Sequence, residues 1–209
     1  MAIALAITSF TAYYFASSPA LIGSLYTETG MSALGWIVML SPLGFVLIMS
    51  MGFQKFSSGT LTLIFGAFSI VMGMSLSFIL LVYTTASIFQ TFAVTAGMFG
   101  VMAFVGYTTK TDLTKFGSLM MMGLFGIIIA SVVNIFLHSG TMDYIISFIG
   151  VLVFTGLTAY DVQVLKRIGA GVEYGTESTK KLMIMGALRL YLDFINLFLF
   201  LLRFLGNRR

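Results

Sequence analysis

Between Phe56 and Thr109 the chain carries no formal charge. A stretch that long without Lys, Arg, Asp or Glu cannot supply the surface of a soluble domain, where about one residue in four is charged. At about 20 residues per helical crossing it is too long for one membrane helix and long enough for two, with the polar cluster Tyr83, Thr84, Thr85 as the turn between them. The rest of the chain follows suit: of 209 residues, 59% are hydrophobic and 9% charged, and the mean hydropathy is +1.05. Because the apolar sequence runs from end to end, neither a single anchor nor a cleaved signal explains it. The fold class is an all-α integral membrane protein.

Polar interruptions divide the chain into seven predicted transmembrane helices, near 1–18, 33–53, 59–82, 86–107, 115–137, 142–166 and 182–206, forming a single domain over 1–209. Ser17-Ser18-Pro19 ends the first of them early. The opening MAIALAITSF lacks a basic n-region; either the first helix starts at the terminus itself or a short polar leader is absent, and we favour the second. On this division one side of the membrane receives Lys55, Lys110, Lys115, Lys166, Arg167, Lys180 and Lys181, offset by Asp112, Glu173 and Glu177. The other offers Glu28, His138 and Asp143, with no Lys or Arg before Arg208 and Arg209. The positive-inside rule then sets the N-terminus in the cytoplasm and the C-terminus outside. Gly52, Gly59, Gly66 and Gly73 recur every seven residues, and Ala93/Gly97 and Ala96/Gly100 are spaced by four, a pattern suited to close helix approach.

The last predicted helix, within Lys181–Gly206, encloses Arg189, Asp193 and Arg203. A charge at membrane depth costs several kcal/mol unless it faces protein or water, which makes such residues functional candidates. By helical rise Asp193 lies roughly 18 Å past Lys181, near the bilayer centre. Arg189 precedes it by one turn, and a purely structural pair of the two is the plainer alternative. In FTGLTAYDVQVLKR, Asp161 lies roughly 7 Å below Lys166 by the same rise, where a helix-end carboxylate paired to a nearby base is the plainer reading. Two carboxylates that approach in low dielectric cannot both ionise cheaply and share a proton. Their oxygens also suit a hard cation such as calcium. His138 and Arg203 read as interfacial groups, Asn134 as a link between helices, and Lys55 as an anchor closing the second helix.

Cysteine is absent, so disulfides, thiolate metal sites and cysteine nucleophiles are excluded together. G-x-S-x-G, H-E-x-x-H and Gly-rich phosphate loops are missing. A retinal Schiff base needs a Lys in the core of the last helix, where the cations are Arg. The reading is of a protein that is not an enzyme and has no resident cofactor. The net charge of +4 resides mostly in short loops between apolar runs, so it reports membrane orientation and no nucleic-acid partner.

YDVQVLKR from Tyr160 and LRLYLDFINLFLFLLRFLG from Leu188 resemble the closing motifs of the Bax inhibitor-1, or transmembrane BAX inhibitor motif, family, its bacterial members in particular. The seven-span layout, the charged loop before the last helix and the segment MLSPLGFVLIMS agree with it. The resemblance implies two three-helix layers around a central C-terminal helix and a pH-sensitive calcium leak, with calcium as the permeant ion. It further implies that Asp161 and Asp193 form a proton-sharing pair that gates the leak and transiently meets calcium. Lys55 is the nearest match to a gating base of some members, and Arg203 matches a base without a carboxylate in the second helix to lock it. Arg189 departs from a simple dyad: its guanidinium favours ionised carboxylates, giving a three-membered cluster of Asp161, Arg189 and Asp193. Partners on this reading are the lipid bilayer, calcium ions and protons, in the plasma (inner) membrane of a bacterium. The rival reading is a non-conducting regulator that binds a membrane protease or other membrane complex, with Asp161 and Asp193 as a polar lock; a proton-coupled transporter is a third.

Overall fold

A computed structural model describes residues 1–27, 30–171 and 175–209. Glu28 and Glu173, both counted in the loop charges above, lie outside the described residues. The element order is α1 (Ala2–Ser17), α2 (Pro19–Leu25), β1 (Tyr26–Thr27), β2 (Gly30–Met31), α3 (Ala33–Gly52), α4 (Ser58–Leu76), α5 (Ile79–Val82), α6 (Thr85–Thr108), α7 (Thr114–Leu137), α8 (Gly140–Ala170) and α9 (Glu177–Leu205). Six spans, with α4 and α5 counted as one, are long and apolar enough to cross a membrane. The seventh expected span, α1, has 16 residues, about 24 Å of rise against a hydrocarbon core of about 30 Å. Large apolar side chains cover the helix exteriors: Phe136 is 79% exposed, Leu63 76% and Phe89 76%. In water such a surface would aggregate; in lipid it is the solvated face. The chain is a multi-pass membrane protein.

Local chemistry sets the boundaries. Pro19 opens α2 at a position where its missing N–H costs nothing, which is why α1 stops at Ser17. Ser32, Ser57 and Ser139 cap α3, α4 and α8 by accepting the N–H of Gly35, Thr60 and Met142. The turn between α5 and α6 falls at Tyr83-Thr84, as the polar cluster there predicts. Two ends differ from expectation. α8 runs four residues past 166, to Ala170, and α9 starts at Glu177 instead of 182, because the bases there prolong the helices beyond the apolar run.

Two compact units divide the chain: Met1–Thr84, Glu173–Leu188 and Arg208–Arg209 in the first, Thr85–Val172 and Arg189–Asn207 in the second. In the first, α4 packs against both α1 and α3. Thr8 Oγ1 donates to Ser69 O on α4 at 2.9 Å. Gly73 lets the two helices approach: a Cβ there would lie 2.5 Å from Thr8 O. Glu177 accepts both the backbone N–H and the hydroxyl of Ser58, so the carboxylate expected among the loop charges closes the start of α4. Arg209 N–H donates to Val82 O at 2.9 Å, and the Arg208 guanidinium stands 5.9 Å from the centre of the Tyr83 ring.

In the second unit, α8 packs against both α6 and α7. Gly106 of α6 meets the Ala159 backbone so closely that a Cβ would collide with its carbonyl oxygen. Gly97 and Gly100 of the same helix, by contrast, would present a Cβ to open space, as would Gly66 of α4 in the first unit, so of these spaced glycines Gly73 is packed and the other three are not. Phe92 and Phe99 of α6 set their ring edges against Phe194 of α9, each at 5.5 Å. Gln163 ties α8 to the α6–α7 loop, accepting from Leu113 N–H at 2.9 Å and donating to Thr111 O at 2.8 Å. Arg167 reaches Asp112 beside it at 2.8 Å.

Candidate functional site

α8 and α9 bring Asp161 and Asp193 to one cleft of the second unit. Asp193 is 5% exposed, near the middle of α9. Asp161, nine residues before the end of α8, is half-buried. Their carboxyls interact directly, side chain to side chain, and Arg189, one turn before Asp193, acts on both through its charge. The three residues that the sequence placed in one cluster therefore meet in one place. They line a cleft of about 770 Å3 together with Tyr160, Leu192 and Asn196. On the α7 side the cleft is lined by apolar groups and Ser131, none of them titratable. Asn196 turns back on its own helix, donating to Leu192 O at 2.8 Å.

Asp193 Oδ2 is buried and has no hydrogen-bond partner. A carboxylate oxygen removed from water without a partner loses its hydration uncompensated, at a cost of about 1–3 kcal/mol or more. Three remedies exist: a proton held between the two carboxyls, the neighbouring guanidinium, or a water or cation in the cleft. Among the described residues no group of three or more acidic, His or Cys side chains is placed to hold a metal ion.

A second polar cleft, of about 600 Å3, lies at the corner where α7 turns into α8. Asn134 organises it, donating to Asp143 Oδ1 at 3.0 Å and accepting from Ser139 N–H at 3.1 Å. Arg203 of α9 stands 3.7 Å from the same Asp143 oxygen. The carboxylate that the second predicted helix lacked for Arg203 is thus supplied by the first turn of α8. Sequence reasoning counted Asp143 only as a loop charge; the signal that locates it is the short spacing from Asn134 across a two-residue corner. His138 occupies that corner with φ 50° and ψ 34°, a left-handed residue that reverses the chain. Lys55 is exposed in the α3–α4 turn and belongs to the first unit.

The sequence pattern described as inhibitor of apoptosis-promoting Bax1 matches residues 1–209. The chain belongs to the Bax inhibitor family. It is 48% identical to the inner membrane protein YbhL of Escherichia coli K12 over 210 residues, covering 100% of this chain and 88% of that one. Uncharacterised proteins of Borreliella burgdorferi and Rickettsia prowazekii are each 44% identical over 209 residues, covering 100% of this chain and 89% and 86% of theirs. Membership spans all three clustered residues, so Asp161, Arg189 and Asp193 lie within the matched sequence.

Proposed function

We propose that this Bax inhibitor family protein is a pH-sensitive, calcium-permeable leak channel of the bacterial inner membrane, gated by Asp161 and Asp193 with Arg189 as modulator. α1 is the seventh crossing on this reading, with the N-terminus in the cytoplasm and the C-terminus outside. The observation that carries the proposal is the buried, unpartnered Oδ2 of Asp193, in a cleft that a second carboxyl and a guanidinium also line. Such a site changes its local charge by one proton, and the charge decides whether a cation is held or refused. A shut state is a shared proton and an engaged Arg189. An open state leaves carboxylate oxygens for calcium to meet in passage.

Calcium flux into liposomes containing the purified protein, followed from pH 5 to 8, tests it. Asp193→Asn, which keeps the shape and removes the titration, is expected to flatten the pH profile, and Asp161→Asn to do the same. A profile unchanged in both variants overturns the proposal.

A further inference from the structure

We infer that Phe200 is the apolar barrier in a hydrated path along α9, separating the Asp161–Arg189–Asp193 cluster from a mouth built by Asn134, Asp143 and Arg203. The ion it would hold back is a small hydrated cation; that part rests on the leak reading, whereas the barrier itself does not. Along α9, Arg189, Asp193, Asn196, Phe200 and Arg203 follow at alternating intervals of four and three residues, which keeps them on one helix face. Four of the five are polar, an unusual stripe for a membrane helix, and the fifth is an aromatic ring. The structure places all five on the same side: the first four line the larger cleft, and Phe200 and Arg203 line the smaller one.

The two clefts meet at Phe200, with Ser131 and Ile135 of α7 also shared between them. The ring is held on three sides. It stacks on Phe154 at 5.8 Å between centroids. It lies flat over Gly150, where an added Cβ would come within 2.6 Å of ring atoms. Arg203's guanidinium stands 5.9 Å from its centre. A ring packed between two clefts that each carry charged side chains is what an apolar constriction requires, since it stops ions by refusing water and needs no charge. The far end of the path offers the reason to hydrate it, the unpartnered Asp193 Oδ2. The near end offers an entry, because Asp143 and Arg203 are 45% and 42% exposed and 3.7 Å apart.

The chain has no cysteine, so single thiols report position without background. In proteoliposomes, a small cationic, membrane-impermeant methanethiosulfonate is added from the side of the α7–α8 corner. Arg203→Cys, outside the barrier, is expected to react whether or not Phe200 is changed. Asn196→Cys, behind it, is expected to react slowly beside native Phe200 and about tenfold faster beside Phe200→Ala. If Phe200→Ala does not fold by size-exclusion profile, Phe200→Gln, which keeps bulk and accepts water, is read in the same way. Equal rates for Asn196→Cys with and without the Phe200 change overturn the barrier. Calcium flux in the same liposomes separates the two ideas: severalfold faster flux for Phe200→Ala supports both. Faster labelling with no flux at any pH leaves the barrier standing and overturns the leak, while pH-dependent flux with unchanged labelling does the reverse.

Discussion

Asp112 and Asp193 show how differently two carboxylates of one chain are treated. Asp193 is buried with an oxygen unpartnered, whereas Asp112 is exposed and richly bonded, accepting from the hydroxyl and the N–H of Thr114 and from Arg167. Those contacts lower the Asp112 pKa from 3.8 to about 2, the Thr114 hydroxyl first, its N–H next and Arg167 after them. The sign follows from the lowered value. The contacts support the fold fully at pH above about 4 and are lost as pH falls through about 2, so they add no slope to stability between pH 5 and 8. A carbon-13 titration of Asp112 in micelles is expected to find a midpoint near 2. Thr114→Val is expected to move it further towards 3.8 than Arg167→Gln does; the reverse order would assign the effect to charge. At this scale the sequence was legible where a residue was out of place. A carboxylate and a guanidinium at membrane depth announce themselves, and Asp161, Arg189 and Asp193 were found that way. Asp143 and Asn134 stand at a helix corner, where polar residues are ordinary, and only the fold shows that Arg203 arrives there.

Helices were the most legible elements, because membrane length and apolarity are properties of the local sequence. Their ends and their neighbours were less so. The expected seventh helix began at 182 and the observed α9 begins at Glu177, since hydropathy marks where lipid ends and not where the backbone stops coiling. Glycine spacing misled for a similar reason: the period of four marks a face without saying what stands opposite it. Gly106 and Gly97, both on α6, separate the cases. Gly106→Ala must push a methyl into the Ala159 backbone and is expected to destabilise by about 1–3 kcal/mol. Gly97→Ala meets nothing within 4 Å and is expected to be neutral or stabilising by up to about 1 kcal/mol through helix propensity. Thermal unfolding in detergent reads both, and a lower melting temperature for Gly97→Ala than for Gly106→Ala would contradict the packing of α6 on α8.

For the whole molecule the decisive quantity is the parity of crossings. Among the described residues six spans have full membrane length and α1 has 16 residues, so the count turns on whether α1 tilts little and draws the bilayer thinner around it, a cost of fractions of a kcal/mol per ångström of mismatch. Seven crossings put the termini on opposite sides. A fluorescent reporter that matures only in the cytoplasm is expected to glow at the N-terminus, and alkaline phosphatase is expected to be active at the C-terminus; both termini on one side would refute the odd count. Of the two terminal bases, Arg208 sets its guanidinium over the Tyr83 ring, and the backbone N–H of Arg209 donates to Val82 O.

The corner at His138 and Ser139 bears on how the chain is made. Only these two residues separate α7 from α8, and Asn134 ties the helices together across them. A connection that short leaves no slack for one helix to wait in the bilayer while the next is still being synthesised on the far side. On the proposed orientation α7 and α8 are expected to enter the lipid as a closed hairpin, with the carboxylate of Asp143 carried across hydrogen-bonded to Asn134.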